Sequence, residues 1–389
     1  MQRDKITLAK DTIANDDIDN LIEWLKTYPK LTKGPVTVQF ESEFSKYIGS
    51  KYSIFVNSGS SAILLTLYSL IEMGKLKKGD NVLLPALSWA TDFAPLIQLG
   101  LQPILVDANA DDLSIDIEHA KDLICKFDPK ALILVSVLGL VPNMTEIVDL
   151  CNANGVILLE DACESLGSDF NGKKLGTFGF ASMFSTYFGH HISTLEGGVI
   201  CTDNFEFAEM MLSLRSHGWS RDMTQASQIA LKKKNNVSDF EELYTFYHCG
   251  FNLRPTDLQA YVGLSQLEKL PRYIENREKN FKFLIENIDN QFWKPKLIGN
   301  RFYSNFAYPM ITSKRNEVVN AVKHENIEVR PLIAGSISRQ PFYLNADIKN
   351  RIETPFANKI HSEGLYLPNH ALLTKDDLNR ICRAVNSVL

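Results

Sequence analysis

Short, nearly uninterrupted apolar runs alternate with longer stretches of mixed apolar and polar positions through the N-terminal half of the chain. KYSIFVNSG, NVLLPAL, QPILVD, ALILVSVLG, GVILLED and GGVICTD are runs of the first kind. They are rich in β-branched residues, the pattern of strands covered by helices on both faces. SSAILLTLYSLIEMG, between the first two, has the spacing of a helix. The alternation predicts an α/β fold: a central, mostly parallel sheet with helices on both faces. Beyond about Gly250 the pattern changes. DLQAYVGLSQLEKLPRYIENREKNFKFLIENI predicts a long amphipathic helix, and FYSNFAYPMI and IEVRPLI predict isolated strands. A large α/β domain over residues 1–250 and a smaller C-terminal α+β domain over residues 251–389 are therefore expected. Between them, residues 222–242 are polar and weakly patterned and read as a long excursion, mobile or covering a ligand.

Composition narrows the class of function. A chain of 389 residues with 45% apolar and 22% charged residues is an ordinary globular one, long enough for about two domains. Its net charge of -5 provides no basic field for a phosphate backbone, so no nucleic-acid partner is expected. Lys232, Lys233 and Lys234 read as a solvated loop. No apolar segment has a membrane-spanning length, and the start MQRDKITLAKDTIANDD resembles no secretion signal, which points to a cytoplasmic protein with no membrane partner. Cys125, Cys151, Cys163, Cys201, Cys249 and Cys382 are scattered without close pairs, so neither a metal site nor a disulfide framework is indicated and buried thiols are expected.

Three motifs carry candidate chemistry. Asn57-Ser58-Gly59-Ser60-Ser61-Ala62 follows a strand and opens a helix, where free amides at the positive helix end suit a phosphate; alone, such a turn is more often a simple helix cap. In LLEDACESLG an apolar strand ends in acids, and a carboxylate at a strand's carboxyl end can hold a protonated ring nitrogen; the alternative is a surface acid or cap. STYFGHHISTLEGG places glycines and hydroxyls beside two imidazoles that titrate near neutrality, and either histidine could be structural or catalytic.

The order of these motifs (phosphate turn, ring-nitrogen acid, cofactor loop) resembles that of the DegT/DnrJ/EryC1/StrS sugar aminotransferase family, which are fold-type I pyridoxal-phosphate enzymes of the aspartate-aminotransferase-like fold. KGPVTVQFESEF, PALSWATDFAPLIQLGLQPILVD, VSVLGLVPNM, LRSHGWSRD, GFNLRPTDLQAYVGLSQLEKLP, and VRPL followed by LPNH extend the resemblance over nearly the whole chain. In the common pattern of this family a lysine lies six residues before the glutamate of the EGG triplet; here that position is His190. Imidazole cannot form the covalent link that a lysine amine makes with the cofactor aldehyde. The His-His pair, SWAT and SHGWSR resemble the family's dehydratases. Dehydratases that use an iron-sulfur cluster hold it through clustered cysteines, which this chain lacks, so no iron-sulfur reductase partner is expected.

The resemblance implies site roles. Asp161 would pair with the pyridine nitrogen, and Glu164 would lie near the ring, with a helix-surface acid as its alternative. Trp89 would stack on the ring, and Gly59, Ser60, Ser61 and Ser185 would cradle the phosphate. Asn252 would reach the phosphate of a neighbouring subunit, making a homodimer with shared sites. His190 would move a proton at the cofactor C4′, and His217 and Arg330 would contact substrate or serve as surface residues. The implied reaction is a C3 dehydration of a nucleotide-linked 4-keto-6-deoxy sugar, with GDP-4-keto-6-deoxy-D-mannose first among substrates. It uses pyridoxal phosphate and pyridoxamine phosphate, with L-glutamate as amino donor, and leads to a dideoxysugar of a bacterial surface polysaccharide. The rival readings are a nucleotide-sugar 4-aminotransferase and a catalytically silent binding protein of the same fold.

Overall fold

The computed structural model describes residues 4–389, so the first three residues of the polar N-terminal stretch lie outside it. The central sheet comprises β1 (Tyr52–Val56), β2 (Asn81–Pro85), β3 (Gln102–Val106), β4 (Ala131–Val135), β5 (Ile157–Asp161), β6 (Ala181–Ser185) and β7 (Gly198–Thr202). Their spatial order is β1-β7-β6-β5-β4-β2-β3. β7 runs antiparallel to β1 and β6, and the other pairs are parallel. This is the mostly parallel α/β sheet expected from the apolar runs, six of which coincide with its seven strands. The seventh, β6, reads Ala-Ser-Met-Phe-Ser; without a β-branched residue it has little strand character of its own, and it is buried between β5 and β7.

The helices that frame the site are α1 (Pro35–Ile48), α2 (Gly59–Glu72), α3 (Ala90–Gln98), α4 (Phe205–Leu214), α5 (Gln225–Asn235) and α6 (Asp257–Asn287). Adjacent residues of β1 enter different cores. Phe55 packs with Phe40 and Phe44 of α1 and with Phe184, whereas Ile54 and Val56 belong to the core that holds Ile63, Met183 and Ile200. Both faces of the sheet are thus covered. α1 is anchored through its N-terminus: Asp257 at the head of α6 accepts the amides of Gly34, Val36 and Thr37 at 2.7, 3.2 and 2.9 Å. A carboxylate there satisfies donors that have no partner inside the helix and sits at its positive end.

Arg215 is fully buried in the first-sheet core, where its guanidinium donates to Glu41 at 2.6 Å, to the Phe55 carbonyl at 2.6 Å and to Asp222 at 3.2 Å. Part of the LRSHGWSRD motif is therefore structural. A second sheet is formed by β8 (Ala307–Ile311), β9 (Arg330–Pro331) and β10 (Gly364–Pro368), antiparallel in the order β8-β10-β9. Ile6, near the N-terminus, pairs with Ile327 beside it.

Three expectations are corrected. Residues 222–242 contain α5 and a 3-10 turn, Glu241–Tyr244, although α5 buries none of its residues. Lys232, Lys233 and Lys234 form the last turn of that helix rather than a loop, where cations meet the negative helix end. The thiols are not uniformly buried: Cys151, Cys201 and Cys382 are, but Cys125 and Cys249 are exposed and Cys163 is half-buried. Among the described residues no helix is long and apolar enough to cross a membrane.

Candidate active site

The carboxyl ends of β1, β4, β5 and β6 meet the start of β7 around a cavity of about 370 Å³. Ligands bind open α/β sheets at this edge because strand-to-helix turns converge there. At the end of β1, Ser58 caps α2: its Oγ accepts the Ser61 amide at 3.0 Å and donates to the Ser61 hydroxyl at 2.9 Å. The amides of Gly59 and Ser60 remain as first-turn donors without an intrahelical acceptor. Backbone approach is close here. A Cβ on Gly59 would lie 2.8 Å from the Ser185 Cβ, and one on Gly198 would lie 2.4 Å from the Ser58 carbonyl. The structure therefore brings Gly59, Ser60 and Ser185 to one wall of the cavity, with Ser58 added; Ser61 is used in the cap and does not line the wall.

Asp161 ends β5, is buried, and accepts the Cys163 amide at 3.0 Å. Burial raises its pKa, against the bonds from Cys163 and Asp92. Glu164 is no surface acid. Its Oε2 accepts the Leu138 amide at 2.7 Å, and its pKa is pushed up to about 8, first by burial and then by the Asp161 charge, with the Leu138 bond opposing. Gly139 lets this turn close: it has φ +85°, and a Cβ there would lie 2.7 Å from the Glu164 carbonyl.

The two adjacent histidines separate. His190 lines the cavity, its ring 5.3 Å from that of Phe306 and 6.4 Å from that of Tyr187. The imidazole lies beside the Cys163 backbone, which favours its protonated form, and its buried Nδ1 has no protein partner among the described residues. Burial, followed by the nearby Arg277 charge, lowers its pKa to about 4. Arg277 in turn is held by the carbonyls of His190, Asn305, Phe306 and Asn369. His191 instead points into the core, with Nε2 2.8 Å from the Ser304 carbonyl. At neutral pH His190 is a neutral base facing open space.

Trp89 lines the cavity with its side chain 56% exposed, so a planar ligand could cover its ring. His217, Asn252 and Arg330 do not line it. His217 takes a left-handed conformation at φ +65° and packs edge-on to Trp219 at 5.1 Å. Asn252 is exposed in a separate depression with Lys33 and Arg254. Arg330 is exposed and pairs across the second sheet with Tyr366, which does line the cavity. Phe306, Ile333 and Tyr366 come from the C-terminal part of the chain and carry no local sequence signal; Asp92, beside Asp161, follows the SWAT stretch directly. No lysine is among the described residues that line the cavity.

The model of the DegT/DnrJ/EryC1/StrS aminotransferase family matches residues 11–386. The chain belongs to this family. Within it, the chain is 34% identical over 358 residues to the GDP-4-keto-6-deoxy-D-mannose 3-dehydratase of Escherichia coli O55:H7, covering 90% of this chain and 91% of that one. A solved GDP-4-keto-6-deoxymannose-3-dehydratase with a trapped PLP-glutamate geminal diamine superposes with a TM-score of 0.90 at 33% identity, covering 98% of this chain and 100% of that one. A histidine-to-asparagine variant of such a dehydratase, with bound GDP-perosamine, superposes with a TM-score of 0.89 at 32% identity and covers 98% and 100%.

Proposed function

We propose that this family member catalyses the glutamate-consuming C3 dehydration of a nucleotide-linked 4-keto-6-deoxy sugar, with GDP-4-keto-6-deoxy-D-mannose as substrate and GDP-4-keto-3,6-dideoxy-D-mannose as product. The observation that carries the reading is the neutral imidazole of His190, its Nδ1 without a protein partner among the described residues, at the place where an amine would be needed to tether an aldehyde cofactor. The residues present fit pyridoxal phosphate: a strand-to-helix turn packed so closely that a Cβ on Gly59 or Gly198 would collide with Ser185 or Ser58, free first-turn amides, a buried acid at a strand end and an open indole face. When bound, the cofactor supplies an electron-accepting ring and carries the amino group taken from L-glutamate.

The chain's own residues divide the remaining work. Gly59, Ser60 and Ser185 would hold the phosphate through backbone amides and hydroxyls. Asp161 would keep the pyridine nitrogen protonated, and Trp89 would cover the ring. His190 would take the proton from C4′, a step for which its lowered pKa leaves it unprotonated at neutral pH. Glu164, protonated at neutral pH, would stand near the ring as a proton donor. Lacking a lysine at position 190, the site has no amine to recapture the cofactor, so the unsaturated aminosugar leaves and hydrolyses. Keto sugar and glutamate thus yield dideoxy keto sugar, 2-oxoglutarate and ammonia, which balances in atoms without further reagents.

A homodimer belongs to the same proposal. Asn252 is exposed and does not line its own cavity, which suits a residue that completes the phosphate site of a second copy. Residues 1–250 and 251–389 would act as large and small domains, with Phe306 and Tyr366 of the second closing on His190 of the first. His217 and Arg330, outside the cavity wall, remain as contacts for the nucleotide end of a long substrate. We assign the protein to the cytoplasm, where nucleotide-sugars and glutamate are available. Purified protein with pyridoxal phosphate, L-glutamate and GDP-4-keto-6-deoxy-D-mannose should give a sugar product lighter by one oxygen. A 4-amino sugar in that assay would favour the aminotransferase instead.

A further inference from the structure

Asp92 is a buried acid that the proposed chemistry does not use. It sits in the first turn of α3, fully buried, three residues after the exposed Trp89. One carboxyl oxygen accepts the Trp89 amide at 3.2 Å, as in a helix-capping arrangement. The other, Oδ1, is buried and receives no donor from the described residues, whereas an ionised cap would need its second oxygen solvated or bonded. The Asp92 carboxyl stands against that of Asp161, within reach of a carboxyl–carboxyl hydrogen bond. Two carboxyl groups can share such a bond only if one is protonated.

Donor count decides which one. Asp161 accepts from the Cys163 amide at 3.0 Å, and the adjacent Cys163 side chain also favours its charged form, so its charge is supported from two sides. Asp92 has the single, longer amide bond and faces the carboxyls of Asp161 and Glu164. Burial and the Asp161 charge both push the Asp92 pKa well above the carboxylate range.

We propose that Asp92 is a positioning residue: as the neutral acid it donates its carboxyl proton in a hydrogen bond to Asp161, fixing the rotamer of Asp161 and keeping it the ionised partner of the pyridine nitrogen. This rests on the reading of Asp161 given above. It links the SWAT segment, whose tryptophan would cover one face of the ring, to the acid that would hold the ring's edge. A shift of α3 would therefore move both contacts together.

Infrared difference spectroscopy of the cofactor-free protein at pH 7, wild type minus Asp92→Asn, tests the protonation directly. The expected result is a positive carbonyl stretch of a protonated carboxylic acid; its absence would overturn the proposal. Fluorescence titration with pyridoxal phosphate then tests the positioning. Asp92→Asn keeps a neutral donor of the same shape and should bind within about threefold of wild type, whereas Asp92→Ala should bind roughly tenfold or more weakly. Equal weakening in both variants would show that the charge or the cap of Asp92 matters instead, and would also overturn it. Asp161→Ala separates the two readings: unchanged cofactor affinity in that variant, with the infrared band present, would reject the role of Asp161 while leaving the protonated Asp92 in place.

Discussion

At the scale of single residues, the account turns on proton affinity set by burial. His190 is lowered to about 4 and Glu164 raised to about 8, so between these values the cavity holds one free base and one protonated acid. The base acts only when unprotonated and the acid only when protonated, so kcat/KM should fall below about pH 4 and above about pH 8. A pH-rate profile checks this, and Glu164→Gln should remove the alkaline limb while leaving the acid one. His190→Asn keeps a polar side chain of similar size without a base. Dehydration should then drop by roughly 10²–10⁴-fold with cofactor affinity little changed, as measured by product formation and by titration with pyridoxal phosphate. Equal loss of both would mean that His190 mainly shapes the pocket.

At the scale of elements, position follows from strand ends and from the contacts that fix them. Asp161 was legible because an apolar run stops at an acid, and the phosphate turn because a strand hands over to a helix through Ser and Gly. Ser185 was found through its motif, although β6 itself lacks β-branched residues and is held between β5 and β7. Only the family resemblance separated His190 from His191; the residues alone could not, because the acceptor that turns His191 inward is the Ser304 carbonyl, 113 residues further on. Phe306 and Tyr366 were invisible for the same reason: they reach the cavity only through the second sheet. Arg215 shows the reverse case, a motif residue whose partners are the buried or half-buried Glu41, Phe55 and Asp222. Arg215→Met should leave Glu41 without its cation and Asp222 with Lys33 alone, and cost about 3–5 kcal/mol in denaturant-induced unfolding; a loss below about 1 kcal/mol would mean that water replaces the guanidinium.

At the scale of the whole molecule, two arrangements bear on the function: a sheet edge that gathers distant segments, and an exposed Asn252 that lies outside the wall of its own cavity. If Asn252 serves a second copy, mixing the His190→Asn and Asn252→Ala proteins should restore activity, because one site of each mixed dimer is then intact. No recovery on mixing, with subunit exchange verified by mass, would place Asn252 in service of its own subunit. The central claim, that a family built for amino transfer here removes a hydroxyl and discards the amine, is tested most directly by the fate of nitrogen. With 15N-labelled L-glutamate and GDP-4-keto-6-deoxy-D-mannose, the account predicts that the label is released as ammonia, one per 2-oxoglutarate formed, and that the sugar product carries none. Label retained in a 4-amino sugar would contradict it.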